Sequence, residues 1–270
     1  LAGLDFLLTE MAKRDMVAIL FLNNAWEWSG GFTQYLAWSG KGPIPYPDTD
    51  GHTWGEFMRF SGTFHQCSEC KELFRNHIRF MLSRTNQITG VPYTEDPAIM
   101  TWELANEPRA FSDANKTFLL EWVNETAAYI KSIDPNHLVT TGTEGSWGCE
   151  TDINLFEKIH SSNDIDYLTM HIWPFNWSWL KPLDMAGTIG NAIENTGKYM
   201  DEHLMVARKL NKPIVFEEFG LPRDGFLFTP GSPVTLRDKY YDYSFGRVLE
   251  SARKNDVMAG ANFWALSGTG

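Results

Sequence analysis

Apolar residues follow two alternating patterns along the chain. Short apolar runs bounded by turn residues fall at 16–22, 98–105, 137–141, 167–172, 213–218 and 258–265. Each reads as a buried strand, because a run this short between turn signals is too brief for a typical helix. Between them lie stretches with the 3.6-residue period of an amphipathic helix, at about 2–14, 68–84, 114–133, 152–160, 188–210 and 235–255. In the helix over 114–133, Phe118, Leu119, Trp122, Val123 and Ile130 share one face, and Asp134-Pro135 ends it. A helix in every connection between successive strands is the signal of a parallel sheet. The pattern is broken once, by a Gly- and Trp-rich segment from Asn23 to about Cys67. A loop of that length is functional or disordered, and Trp26, Trp28, Phe32, Tyr35, Trp38, Tyr46 and Trp54 argue for an ordered functional one.

Two architectures fit the alternation, a doubly wound sheet and an eight-stranded barrel, and the polar residues separate them. Asn106 and Glu107, His171, Glu217 and Glu218, and the Trp264 region stand at the C-terminal ends of four different strands. A barrel gathers such ends at one mouth, whereas a doubly wound sheet uses one switch point, typically with a Gly-rich phosphate turn. No G-x-G-x-x-G or P-loop pattern follows any strand. The expectation is therefore an α/β fold of the (β/α)8 TIM-barrel type in a single domain, 1–270. It has strands three to eight present and the first two strands and last helix missing. The chain begins at Leu1 inside an amphipathic helix whose face carries Leu4, Leu7, Leu8 and Met11.

Composition narrows the partners. The net charge of -11 and pI near 5.1 argue against nucleic acid and anionic membranes, which attract clustered Lys and Arg. No apolar run reaches the roughly 18 residues of a spanning helix, and the first residues lack a basic region and cleavage site. Cys67, Cys70 and Cys149 make an odd count. His65, Cys67, Cys70 and His77 have spacings compatible with zinc. Leu73, Phe74, His77, Ile78 and Met81 nevertheless read as a continuous helical face, which favours a local Cys67–Cys70 disulfide or two free thiols, and no metal site is assigned. Asn115, Asn124 and Asn176 lie in Asn-x-Ser/Thr sequons.

Two strands end in glutamates, in TWELANEP and PIVFEEFG. A carboxyl pair facing one cavity is the machinery of glycoside hydrolysis: one group protonates the leaving oxygen, and the other attacks carbon or activates water. A lone Glu-Pro is more simply a turn, and it is the second glutamate-ended strand that changes the balance. In a regular strand Glu217 and Glu218 face opposite sides, so parity leaves the choice between them open. A supporting ion pair between Glu103 and Arg109 is expected, with Glu144 lining a cleft. Flat rings stack on pyranose faces. Trp102 and Trp122 read as core, whereas Trp26, Trp28, Trp147, Trp173, Trp177 and Trp179 fall in loops after strands, where exposure is expected.

Together these motifs resemble the endo-β-1,4-mannanases of glycoside hydrolase family 5, across essentially the whole chain. The resemblance implies Glu107 of Asn106-Glu107-Pro108 as acid/base, with Asn106 on the sugar 2-hydroxyl. It implies Glu218 of Glu218-Phe219-Gly220 as nucleophile, with Glu217 the runner-up. It places His171 and Trp264, the latter in ANFWALSG, at the cleavage point, and the loop LNNAWEWSGGFTQY supports the mannan assignment. Where the family pattern has His-x-Tyr, this chain has His171-Ile172-Trp173, so an indole N–H replaces a hydroxyl. The family's strand-two arginine has no counterpart here. The resemblance implies a secreted or periplasmic, monomeric hydrolase of β-mannan or a related polysaccharide, needing no cofactor. An endo-β-1,4-glucanase, and a non-catalytic glycan-binding or inactive fragment, are the rival readings.

Overall fold

The computed structural model describes residues 1–227 and 229–265. The chain divides into two compact units, Leu1–Asp166 and Tyr167–Gly270. In the first unit the order is α1 (Ala2–Ala12), β1 (Ala18–Phe21), α2 (Gly31–Trp38), α3 (Trp54–Gly62), α4 (Ser68–Leu82), β2 (Ile99–Glu103), α5 (Lys116–Ile133), β3 (Leu138–Thr140) and α6 (Ile153–His160). Its three strands form one parallel sheet in the order β1-β2-β3. The second unit repeats the plan with β4 (Leu168–Ile172), α7 (Met185–Leu210), β5 (Ile214–Phe219), α8 (Thr235–Lys254) and β6 (Met258–Ala261), a parallel sheet ordered β4-β5-β6. The six strands and six long helices expected from the periodicity are therefore present, and every strand-to-strand connection within a unit carries a helix.

The largest difference lies in the segment 23–67, which is not a plain loop but holds α2 and α3. The first residue of α3 is set by a capping box: the Thr53 hydroxyl accepts from the Glu56 N–H, and the Glu56 carboxylate accepts from the Thr53 N–H at 2.7 Å. α2 and α4 then enclose an aromatic core in which Phe32 stacks on Phe64 at 4.3 Å and meets Trp122 edge-on at 5.4 Å. On α5 the expected face is buried at Leu119, Trp122, Val123 and Ile130, but Phe118 is exposed. It lies in the first turn of the helix. In the second unit Phe216 stacks on Phe219 at 4.3 Å, and Tyr240 packs edge-on to Phe219.

Cys67 and Cys70 form a disulfide where α4 begins. The four candidate zinc ligands do not act together: His65 is buried with Nε2 3.0 Å from the Arg109 carbonyl oxygen, and the half-buried His77 stacks on Phe74. Leu73 is exposed rather than part of the buried face. Cys149 is buried, and burial pushes its thiol up. Asn115 is also buried, its side chain engaged by Gln66 and by the Gly62 and Ala110 carbonyls, whereas Asn124 and Asn176 are exposed. Among the described residues no helix is long and apolar enough to cross a membrane.

Candidate active site

In the first unit the pairing of β1 and β2 continues past both strands. The Asn106 N–H donates to the Asn23 carbonyl at 2.9 Å and the Ala25 N–H to the Asn106 carbonyl at 3.0 Å, forming a parallel bridge between Asn24 and Asn106. The chain then turns at Glu107, whose φ of 51° lies in the left-handed region. Such a conformation costs a non-glycine residue roughly 1–3 kcal/mol and persists only where neighbours impose it. One of those neighbours is Gly142, whose carbonyl accepts the Glu107 N–H at 2.9 Å. Gly142 has φ +75°, and a Cβ there would lie 2.1 Å from the Ala105 oxygen, so only glycine fits. Pro108 follows without an N–H to extend the ladder.

The Glu107 side chain is 8% exposed, and its Oε2 accepts a hydrogen bond from Trp26 Nε1 at 2.6 Å. Trp26 is itself held, with Phe111 edge-on at 5.5 Å and the Arg109 guanidinium 5.4 Å from its ring. Arg109 pairs with Glu144, a buried residue from the loop after β3. Burial opposes the Arg109 charge, but Glu144, with Glu107 and Glu150, more than offsets it and raises the guanidinium above its ordinary value. The expected Glu103–Arg109 pair is thus corrected. Glu103 belongs to β2 and its carboxyl packs where a Gly142 Cβ would fall, while Arg109 lies beyond the turn and meets the next loop instead.

In the second unit the β4–β5 register runs Met170↔Phe216 and then His171↔Glu218, so Glu217 is skipped. This is a bulge on β5, and it overturns the assumption of regular alternation. Phe216 and Glu217 are both buried and Glu218 is half-buried. Both carboxylates reach the same histidine: Glu218 Oε2 is 3.5 Å from His171 Nδ1, and Glu217 Oε2 is 3.8 Å from His171 Nε2. His171 is 1% exposed. Among the described residues neither Glu217 oxygen has a hydrogen-bond partner. Gly220 follows because space allows nothing larger: a Cβ there would lie 2.8 Å from the Trp264 oxygen and 3.0 Å from Trp173 Cζ3. Trp264 is 59% exposed, meets Trp173 edge-on at 5.8 Å, and donates its backbone N–H to the Phe219 carbonyl at 2.8 Å. Leu266, Ser267 and Gly268 of its motif lie outside the described residues.

The other aromatic expectations are met unevenly. Trp102 and Trp122 are core, as expected. Of the six loop tryptophans only Trp28 is exposed, while Trp26, Trp147, Trp173, Trp177 and Trp179 are half-buried. Trp177 and Trp179 pack on each other at 4.9 Å, and Trp177 meets Tyr199 at 5.2 Å. Asn106 is half-buried, with Nδ2 3.4 Å from Asn24 Oδ1. Three features had escaped the sequence reading: the Arg109–Glu144 pair, the approach of Glu217 to His171, and an exposed Trp54 beside Trp26. The Thr53-x-x-Glu56 capping signature would have found the last, since it sets a helix start at Trp54.

The whole chain, residues 1–270, matches the family described as GH family 5 beta-mannosidase-like. The mannan endo-1,4-beta-mannosidase 4 of Solanum lycopersicum is 31% identical over 278 residues, covering 99% of this chain and 64% of that relative. The crystal structure of a glycoside hydrolase family 5 mannosidase from Rhizomucor miehei superposes with a TM-score of 0.88 at 36% identity, covering 100% of this chain and 65% of that one. The hyperthermostable endo-1,4-beta-D-mannanase of Thermotoga petrophila gives a TM-score of 0.75 at 29% identity, covering 99% of this chain and 69% of that one. The chain thus spans just under two thirds of the Solanum and Rhizomucor proteins. A match along its full length, with glutamates at the ends of two parallel strands, means that this chain belongs to the GH family 5 beta-mannosidase-like family.

Proposed function

We propose that the protein containing this chain is a retaining endo-β-1,4-mannanase acting on mannan-type plant polysaccharides, with Glu107 as acid/base and Glu218 as nucleophile. The observation that carries the reading is a pair of strand-end glutamates, each steadied by its own neighbours, Trp26 for Glu107 and His171 for Glu218. In the first step the Glu218 carboxylate attacks the anomeric carbon while Glu107 gives its proton to the glycosidic oxygen, and the leaving sugar departs. In the second, Glu107 takes a proton from water, whose oxygen attacks the same carbon and releases Glu218. Two inversions give net retention. Asn106, His171, Trp173 and Trp264 are assigned to the sugar being cut, with Trp26, Trp28 and Trp147 contributing further contacts. No cofactor enters any step.

In this reading the parallel sheets are strands three to eight of a (β/α)8 barrel within a single catalytic domain, and the first two strands and last helix belong to the rest of the polypeptide. The exposed apolar residues Met16, Val17 and Phe21 around β1 support that view. A secreted or periplasmic monomer fits a polymeric substrate and the Cys67–Cys70 disulfide, a bond that persists in oxidising compartments.

A second reading, an exo-acting β-mannosidase, is favoured by one observation: the Rhizomucor mannosidase is both more identical and better superposed than the Thermotoga endo-mannanase. Product analysis on β-mannan decides between the two. Oligosaccharides of mixed length are expected, mannose as the sole early product would move the reading to exo, and cleavage of a soluble cellulose derivative alone would overturn both. Proton NMR of the first-formed anomer tests retention.

A further inference from the structure

Trp54 and Trp28, like Trp38, lie at the surface of the first unit, whose Trp102 and Trp122 are core. Trp102 and Trp122 are 0% and 1% exposed, whereas Trp54 is 39% and Trp28 is 64% exposed. Leaving such large rings in water forgoes their burial energy, and clustered exposed aromatics are a mark of a binding surface. The two are not scattered. Trp26, Trp28 and Trp54 form a triangle with centroid separations of 6.1, 6.0 and 6.1 Å. One corner of that triangle is Trp26, whose indole N–H holds the Glu107 carboxylate. The aromatic surface is therefore continuous with the carboxyl group assigned as acid/base.

Trp54 is also held rigidly. It is the first residue of α3, fixed by the Thr53–Glu56 capping box, and its ring is braced edge-on by the buried Phe57 at 6.1 Å. A ring placed by a helix end and backed by core loses little freedom when a ligand covers it, which makes it an effective contact.

We propose that Trp54 and Trp28 form a stacking platform for sugar units of the mannan chain beyond the one on which Glu107 acts, and that Trp54 thereby sets the preference for long substrates. The proposal rests on the mannan reading above and extends it to a residue that the sequence motifs did not single out. The ligand class follows from continuity, because a polysaccharide threaded past Glu107 must lay its next units on whatever surface adjoins Trp26. Pyranose faces are apolar and suit indole rings. Binding energy gained on remote units lowers the barrier for long chains and is absent for short ones.

The test compares kcat/KM on mannohexaose and mannotriose for the complete protein that contains this chain and for its Trp54→Ala and Trp28→Ala variants, with the thermal midpoint recorded for each. The expected result is a fall of about tenfold in the hexaose-to-triose ratio for Trp54→Ala, the scale of one lost stacking contact. A fall in the same direction is expected for Trp28→Ala, and Trp54→Phe should recover part of the preference. An unchanged ratio, or equal losses on both substrates, would overturn the platform while leaving the mannan reading standing. A complete wild-type protein that cleaves neither oligosaccharide overturns the mannan reading and the platform with it. If Trp54→Ala fails to fold, the exposed Trp28→Ala decides, since its ring is not core.

Discussion

At the end of β2 the chain leaves extended geometry at the glutamate itself: Glu107 takes φ 51° and its N–H is caught by Gly142. At the end of β5 the glutamate that pairs in register, Glu218, stays in the ladder, and the residue before it is the one squeezed out. The two devices leave different surroundings. The turn sets one carboxylate beside an indole donor, with a guanidinium packed against that indole. The bulge brings two carboxylates to opposite nitrogens of one buried histidine. At the end of β2 the motif offers one glutamate, Glu107, whereas at the end of β5 Glu218 has a neighbour, Glu217, which is nearly as close to His171 and more deeply buried.

The largest expected effect tests that asymmetry. Glu218→Gly should lower kcat/KM by about 10⁴ or more, as removal of a group acting directly on the reacting atoms does. Azide should restore turnover of an activated mannoside, with a glycosyl azide of inverted configuration as product. Glu217→Gln should cost only about tenfold, the scale of a weakened contact to His171. Rescue of Glu217→Gly by azide, with Glu218→Gly unresponsive, would reverse the assignment at this strand end.

The next effect belongs to the other end. Arg109→Met leaves Glu144 buried without its guanidinium and should destabilise the fold by about 3–5 kcal/mol in urea melts. Replacing both residues, by Met and Leu, should recover most of that loss, because an apolar pair of similar volume avoids the desolvation of two charges. A single variant within about 1 kcal/mol of wild type would mean that the Arg109–Glu144 pair does not brace the Glu107 turn.

Most of the sheet and helix alternation was legible because it rests on periodicity, which is a local property of the chain. The strand ends were legible only in part. Glu107 and Glu218 could be found from their motifs, but the contact of Glu217 with His171 depends on a bulge, and one displaced residue leaves no periodic trace. The partner of Arg109 was misjudged for a related reason: sequence proximity suggested Glu103, while the turn at Glu107 redirects the chain towards the loop after β3. The 23–67 segment hid two helices because its glycines and tryptophans masked the short apolar faces of α2 and α3.

The smallest effect compares how the two units respond to acid. Each contains a buried histidine that burial pushes down to about 4, His65 in the first and His203 in the second. The ordinary value is 6.5, so between about 6.5 and 4 the unfolded chain takes up a proton that the folded chain refuses. Stability therefore rises with pH across that window and is lost as pH falls through it, by at most about 3 kcal/mol per histidine and about half that near pH 5. His137 adds no slope there, because its pKa is raised by Asp134 against the effect of burial, and its contribution is complete below 6.5. His65 accompanies Arg109 through its 3.0 Å contact with that residue's carbonyl, whereas His203 lies within α7, against the Tyr199 carbonyl. Urea midpoints measured from pH 4.5 to 6.5 should lose part of their slope in His65→Gln and a similar part in His203→Gln. Acid loss of turnover should ease more in His65→Gln than in His203→Gln, because His65 contacts Arg109, two residues beyond Glu107. Equal easing in both variants would show that the two units respond to acid as one and that the contact with Arg109 has no special consequence.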